Sequence, residues 1–438
     1  MKKILFFSFY NKLDIEVHPG VAVLSAALKA NGYQTKLQPY FYYDEERFTG
    51  MIRHFDPDFI CISATHMAVE QVRKLAKFLK SATEAPVLLG GVFPILDRNL
   101  AASIEGVDAV CVGEGVEGLL QYISGIHPAV NIMYPGSSSV VDKGWSSRPT
   151  GELDYRLFWD ELPEHRRSLN KLDYWTSFTC EYGCAFCCNK EIRELTGLRT
   201  KPRQDMECSI RTIKELTKTC GAKKVHFRDP LVIGKRDLQW AKVFLPMYSE
   251  EIGLPYTVNI RADVMEEELV QLLKETGCRL VKMGLESGSE WLRNKVLRKG
   301  ETDQQFLDAS ALLRKYGIKL SLNAMLGIPH ETMETARMTL EMMEQLNPDK
   351  RFLHIFQPWP GVRMDSSLVP FIRYERFPAL NDSIVAGRTF RDDISEYGLD
   401  PVKAAAEYVL TPVLDQVSFP YLLALEWQQA FHESGESE

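Results

Sequence analysis

Cys180, Cys184 and Cys187 crowd into the stretch Thr179-Cys180-Glu181-Tyr182-Gly183-Cys184-Ala185-Phe186-Cys187. Three thiolates on one short loop suit an iron–sulfur cluster. An ordinary four-iron cluster takes four Cys ligands, so three leave one iron open to a small ligand, which separates a catalytic cluster from a closed electron-transfer one. Gly183 permits the tight wrap that such a loop needs, and Phe186 offers an aromatic face beside the bound group. A zinc knot would pair two Cys-x2-Cys arms or add His, and no second arm follows. Cys188 comes directly after the triad, too close to Cys187 to reach the same cluster easily, and is read as a spectator. Cys61, Cys111, Cys208, Cys220 and Cys278 stand alone and read as small buried hydrophobes.

Other polar residues recur at the ends of apolar, strand-like runs. Arg261 closes Asn259-Ile260-Arg261, where a planar guanidinium fork is suited to grip a carboxylate. Glu286 and Ser287 close Gly284-Leu285-Glu286-Ser287-Gly288, and a carboxylate at the end of a buried strand is costly to desolvate without a partner. Asp229, in His226-Phe227-Arg228-Asp229-Pro230, reads equally well as a ligand-holding acid and as the start of a turn. Asn323 and Gly327 lie in Asn323-Ala324-Met325-Leu326-Gly327-Ile328-Pro329, and Gln357 opens Gln357-Pro358-Trp359-Pro360-Gly361.

These residues need elements to hold them. From residue 1 to about 125, short apolar strands alternate with helical patterns, the mark of parallel βαβ units. Strands are expected at Ile4–Ser8, near Thr35–Gln38, and at Phe59–Ser63, Val87–Leu89 and Ala109–Val112. Five such strands make a doubly wound, flavodoxin-like sheet, whose ligands bind beyond the carboxyl ends of its strands. Residues 126–170 lose the rhythm and read as a linker. Six more strands are expected at Tyr174–Thr179, Lys224–Phe227, Tyr256–Ile260, Leu280–Leu285, Lys319–Leu326 and Phe352–Gln357, which suggests a partial (β/α)6 barrel over 171–375. Residues 376–438 read as a helical extension, with helical stretches at Pro401–Leu410 and Tyr421–Phe431. The fold class expected is therefore α/β, with a doubly wound sheet followed by a partial barrel.

The cysteine loop matches Cys-x3-Cys-x-aromatic-Cys, and the chain thereby resembles the radical S-adenosylmethionine (SAM) superfamily across the whole barrel. The resemblance implies that Cys180, Cys184 and Cys187 hold a 4Fe-4S cluster. SAM would chelate the open iron and be cleaved reductively to a 5′-deoxyadenosyl radical. It also implies SAM contacts at Phe186, Arg261, Glu286, Ser287, Asn323, Gly327 and Gln357, with Arg261 on the carboxylate, Glu286 on the ribose hydroxyls and Gly327 beside adenine. Many relatives carry Gly-Gly-Glu after the second strand; this chain departs there, and Asp229 could take the SAM amino group instead.

The first 125 residues resemble the cobalamin-binding domain of one branch of that superfamily, through Pro19-Gly20-Val21, Ser63-Ala64-Thr65, Gly90-Gly91 and Gly113-Glu114-Gly115. Ser63, Thr65, Gly90, Gly91, Gly113 and Glu114 are the implied cobalamin contacts. The Asp-x-His-x-x-Gly motif that gives many cobalamin proteins a cobalt-ligating His is missing. His18 has the wrong spacing for it and reads as a loop histidine, so the lower face of cobalt is expected to be water-bound or open.

The chain has 438 residues and a formal net charge of −7 without a basic block, so no nucleic-acid partner is expected. No apolar run reaches the length of a membrane span, and the cysteine usage fits a reducing, cytoplasmic setting. The expected function is radical SAM chemistry, with cobalamin-dependent methylation of an unactivated centre in a small-molecule substrate and an external electron donor such as flavodoxin or ferredoxin. Two alternatives stay open: a cobalamin-independent or non-methylating rearrangement, dehydration or cyclisation, and a non-catalytic cobalamin or electron-transfer module.

Overall fold

Alternating strands and helices build two parallel sheets in the computed structural model, which describes residues 1–10, 17–137, 139–142, 153–159, 161, 170–198, 201–356, 359 and 362. The first sheet holds β1 (Lys3–Phe9), β2 (Gln34–Tyr40), β3 (Phe59–Ser63), β4 (Val87–Gly90), β5 (Ala109–Cys111) and β6 (Ile132–Met133). Its order is β2-β1-β3-β4-β5-β6, the flavodoxin arrangement with one strand added. That sixth strand lies within 126–170, the stretch that reads as a linker. It pairs antiparallel with β5 through Val110–Met133 and Cys111–Ile132.

Helices α1 (Pro19–Ala30), α2 (Glu45–Phe55), α3 (Val69–Ala82), α4 (Val92–Leu96), α5 (Arg98–Ala102) and α6 (Gly115–Ile123) cover both faces. Leu5, Phe7, Ile60, Ile62, Val87 and Leu89 pack beneath Phe48, Val72 and Leu75 on one face, while Ile4, Phe6 and Leu88 meet Val21, Leu28 and Leu119 on the other. A sheet buried on both sides explains why its strands read as continuous apolar runs. Local chemistry sets the helix ends. Asp44 caps α2 by accepting from the Arg47 amide at 3.0 Å, and Asp56 leaves it in the left-handed region.

The connection between the sheets is anchored where it is described. Asp154 accepts from Ser25 Oγ and pairs with Lys29, both at 2.6 Å, and Tyr155 donates its hydroxyl to the Asp173 carbonyl at 2.6 Å. Helix α7 (Arg156–Trp159) buries Leu157 and Phe158 in an apolar cluster that runs from the first sheet into the second.

The second sheet is β7 (Lys171–Tyr174), β8 (Lys224–Phe227), β9 (Tyr256–Asn259), β10 (Cys278–Glu286), β11 (Lys319–Leu326) and β12 (Lys350–Ile355), in sequential order and parallel throughout. Between them run α8 (Cys188–Leu195), α9 (Met206–Cys220), α10 (Leu238–Glu251), α11 (Glu267–Glu275), α12 (Asp303–Lys315) and α13 (Met333–Leu346). Two strand expectations shift. The sheet takes Lys171–Tyr174 rather than Tyr174–Thr179, because Trp175–Thr179 turn away to accommodate Asp229, and it takes Lys350–Ile355 rather than Phe352–Gln357. The helical stretches expected at Pro401–Leu410 and Tyr421–Phe431 lie outside the described residues. Among the described residues, no helix is long and apolar enough to cross a membrane.

Candidate functional site

The cysteine loop leaves β7 and is pinned from two sides. Arg193 of α8 donates to the carbonyls of Glu181 at 2.8 Å and Tyr182 at 3.0 Å, while the Ala185 amide donates to the Leu297 carbonyl at 2.8 Å. Phe186 packs against a small cluster of Leu292, Val296, Leu297, Ile328 and Phe356, so its ring ties the loop to the ends of later strands. Burial pushes the Cys184 thiol up to about 11, against the pull of Lys299 and Arg261, and raises that of Cys180. Cys187 moves the other way, to about 6, because the Cys188 thiol and Asn189 donate toward its sulfur; Asn189 Nδ2 lies 3.3 Å away. Lys299 and Arg261 thus offset the burial of Cys184 only in part, and Cys187 alone is carried below the ordinary thiol value. Among the described residues, no three His, Cys, Asp or Glu side chains gather as a site for one metal ion. The donor set fits a cluster that gives each thiolate its own iron better than it fits a zinc knot.

Around the loop lies a buried charge network that sequence reading found only in part. Arg261 stacks on Tyr182, 3.9 Å from ring centroid to guanidinium carbon. It donates to Asp263 at 2.9 Å and to the Lys299 carbonyl at 2.7 Å, and stands 3.9 Å from the Cys184 sulfur. Glu286 takes φ +67 at a bulge of β10, a left-handed conformation rare for a non-glycine residue, and its Oε1 lies 3.4 Å from Lys299 Nζ. Lys299 also meets Glu301 at 3.1 Å. Burial works against its charge, but Glu301 and Glu286 outweigh that and hold its pKa above the ordinary lysine value. Glu301, fully buried, accepts the Ala262 amide at 2.7 Å. Nothing local in Arg298-Lys299-Gly300-Glu301 marks Lys299 or Glu301 as buried. A charge run shows its burial only once the chain is folded.

The remaining expected SAM residues fall at the same carboxyl edge with different degrees of freedom. Asp229 is fully buried and accepts from the Thr176 amide at 3.3 Å, the Thr176 hydroxyl at 3.0 Å and the Ser177 amide, so its carboxylate holds the residues that lead into the cysteine loop. Ser287 is buried and accepts from the Ser289 amide at 3.1 Å. Asn323 sits half-buried near the end of β11, and Gly327 follows with φ +81, its amide donating to Glu331. Gln357 lies outside the described residues.

At the edge of the first sheet, Ser63 ends β3 and Thr65 precedes a short turn of helix at His66–Ala68. Gly91 has φ +96, and a Cβ there would sit 2.5 Å from the Ala64 carbonyl oxygen. Its backbone is thus pressed onto the end of β3, and Gly90 accepts from the Ala64 amide at 3.0 Å. A Cβ on Gly113 would come within 3.0 Å of the Asn131 side chain, which donates to the Glu114 carbonyl at 3.0 Å. These glycines answer to packing as well as to any ligand. His18 is the residue before α1; its ring stacks on Tyr10 at 4.5 Å and its Nδ1 is bonded to Ser8 Oγ.

The two edges meet. Val92, Ile95 and Leu96 of α4, directly after Gly90-Gly91, pack against Cys188, Ile192 and Leu195 of α8, directly after Cys187.

Comparison with known proteins agrees with this geometry. The radical SAM superfamily model matches residues 176–343, and the B12-binding domain model matches residues 13–123. The chain is 26% identical to an uncharacterised methyltransferase of Pyrococcus horikoshii over 72% of this chain and 70% of that one. It is 22% identical to the anaerobic magnesium-protoporphyrin IX monomethyl ester cyclase of Rubrivivax gelatinosus, over 78% of this chain and 64% of the other. To the cytidylyl-2-hydroxyethylphosphonate methyltransferase of Streptomyces wedmorensis it is also 22% identical, over 69% and 67%. The fold matches that of the radical SAM methyltransferase TsrM of Kitasatospora setae with a TM-score of 0.66 at 18% identity, covering 81% of this chain and 73% of that one. It matches the cobalamin-dependent radical enzyme OxsB with a TM-score of 0.64 at 16% identity, covering 98% and 61%. The cofactors of this domain pair are a 4Fe-4S cluster, SAM and cobalamin. A B12-binding domain at residues 13–123 thus precedes a radical SAM domain at residues 176–343 in this chain.

Proposed function

We propose that the chain is a cobalamin-dependent methyltransferase acting on an unactivated carbon or phosphorus centre of a small molecule, with residues 1–125 binding cobalamin and the barrel binding SAM. The observation that carries this reading is the contact between α4 and α8, which sets the end of the cobalamin sheet against the cysteine loop. When bound, the cluster supplies the electron that cleaves SAM, and cobalamin carries the methyl group. Cys180, Cys184 and Cys187 hold the cluster, and Arg261 and Lys299 place positive charge beside Cys184. Glu286, pressed against Lys299 at the end of β10, faces the nucleoside hydroxyls, with Ser287, Asn323 and Gly327 along the same edge. Phe186 closes the apolar side. Asp229 positions the start of the cysteine loop through Thr176 and Ser177.

The test is anaerobic turnover with methyl-labelled SAM, hydroxocobalamin, a reductant such as flavodoxin and a panel of candidate small molecules. Equal 5′-deoxyadenosine and S-adenosylhomocysteine, with label in the product, is the expected result. Turnover that yields 5′-deoxyadenosine without S-adenosylhomocysteine or transferred label overturns methylation in favour of a rearrangement or cyclisation.

A further inference from the structure

Two histidines lie at the ligand edge of the first sheet, and they differ in one respect. His18 is committed: its Nδ1 is bonded to Ser8 and its ring stacks on Tyr10. His66 is not. It follows Ser63-Ala64-Thr65 on the loop after β3, only 7% exposed, and neither Nδ1 nor Nε2 has a hydrogen-bond partner. Buried polar atoms in folded proteins are nearly always satisfied, and one that is not calls for a missing water, ion or ligand. A histidine with both nitrogens orphaned is a stronger anomaly than one half-satisfied.

Its surroundings point to a ligand rather than to a packing fault. The ring's aromatic neighbour is Phe93 of α4, edge to face at 4.7 Å, so no hydrogen bond holds its orientation and turning it breaks none. Burial drives its pKa down to about 4, against a weak opposing pull from Asp97, so the imidazole is neutral and its lone pair is free near neutral pH. Neutral imidazole is the commonest protein donor to a transition metal. The place is also right, because ligands on a doubly wound sheet bind outside the carboxyl ends of its strands. Phe93 belongs to the helix that begins beside Gly91, the backbone pressed onto β3.

We infer that His66, on the loop after β3, is the imidazole that ligates the cobalt of bound cobalamin. This rests on the cobalamin reading of the first domain. It departs from the expectation of an open or water-bound cobalt, and it replaces the missing Asp-x-His-x-x-Gly histidine with one from a different loop.

The test reads the metal and not turnover. The full chain, labelled with 15N-histidine and loaded with cobalamin, is reduced mildly to the Co(II) state, in which the cluster stays oxidised and silent in electron paramagnetic resonance. An axial 14N splits each cobalt line into three, and an axial 15N splits it into two. Two-line splitting in the labelled protein, lost in His66→Ala and His66→Gln but kept in His18→Ala, is the expected result. Three-line splitting in the labelled protein would assign the axial base to cobalamin itself, and unsplit lines would mean no nitrogen ligand; either overturns the inference while leaving cobalamin binding in place. Two-line splitting that survives in both His66 variants overturns it as well, in favour of another histidine. If no cobalamin is retained by the wild-type chain, the inference falls together with the cobalamin reading. The labelled wild-type spectrum alone decides nitrogen ligation, so a folding defect in one variant does not blunt the test.

Discussion

Arg261 Nη1 stands 3.9 Å from the Cys184 sulfur while the same guanidinium is held by Asp263 and by the Lys299 carbonyl. A cation so fixed is preorganised: it need not be ordered when an anion arrives, so its pairing energy is not spent on side-chain entropy. Replacing Arg261 by Ala is expected to weaken SAM binding by roughly ten- to a hundred-fold, about 1.5–3 kcal/mol for a lost charge-assisted hydrogen bond, with iron and sulfide content unchanged. Titrating SAM into the reduced cluster and following its paramagnetic signal checks this. Unchanged affinity would remove Arg261, and the same result in Glu286→Ala would remove Glu286.

The cysteines separate by position. Ala at Cys180, Cys184 or Cys187 is expected to abolish the cluster and all SAM cleavage, while Cys188→Ala keeps both, because Cys188 starts α8 beside the apolar cluster of Ile95, Leu96 and Ile192 and only donates toward Cys187. Anaerobic iron and sulfide analysis of the four variants decides it, and full occupancy in a chain with Cys180, Cys184 and Cys187 all replaced by Ala would end the cluster assignment.

Glu301 is expected to matter for stability more than its surface-like sequence suggests. Its carboxylate bridges the Ala262 amide and Lys299, and Arg261 lies 3.7 Å away. Replacing it by Ala removes the carboxylate that two buried cations share and leaves Lys299 only Glu286 and Arg261 only Asp263 as acidic partners, a change expected to cost up to about 3–5 kcal/mol, the scale for removing one partner of a buried pair. Urea unfolding of the full chain measures it, and a loss of less than about 1 kcal/mol would show that water replaces the carboxylate.

Gly91→Ala tests the cobalamin edge. The left-handed φ and the Ala64 carbonyl at 2.5 Å leave no space for a methyl group, so β3 and β4 must part at their ends. The expected outcome is faster amide hydrogen exchange at Ala64 and Phe93, whose backbones are bonded across this turn, with the second sheet unaffected.

Glu331 gives a pH dependence with a definite sign. Burial raises its carboxyl from 4.5 to about 7, against the donating amides of Gly327 and Ile328. The folded chain therefore keeps a proton that the unfolded chain releases, and stability falls as pH rises through the window from 4.5 to about 7. The full penalty is on the order of 3 kcal/mol above that window. Glu331→Gln, which can still accept from Gly327, is expected to flatten this part of the profile and to be more stable than the parent at pH 8; an unchanged slope in urea unfolding between pH 5 and 8 would place the titration elsewhere.

The sequence by itself determined what depends on local spacing and periodicity. Three thiols around Gly183 specified the loop chemistry, and mainly apolar runs such as Phe59–Ser63, Lys224–Phe227 and Lys319–Leu326 gave strands at their observed bounds, since most of their positions are buried. Tertiary structure decided what depends on distant partners. Nothing local marks Ile132–Met133 as a strand; it pairs because β5 leaves an open edge beside it. The shift of β7 from Tyr174–Thr179 to Lys171–Tyr174 comes from Asp229, which draws Thr176 and Ser177 out of the sheet from more than fifty residues away. Lys299 and Glu301 carry no local mark of burial and are buried because they neutralise one another beside Arg261. His18 and His66 are indistinguishable as letters, and only the fold shows that one ring is bonded to Ser8 while the other is buried with both nitrogens free, because hydrogen-bond satisfaction is a property of packed neighbours and not of the chain.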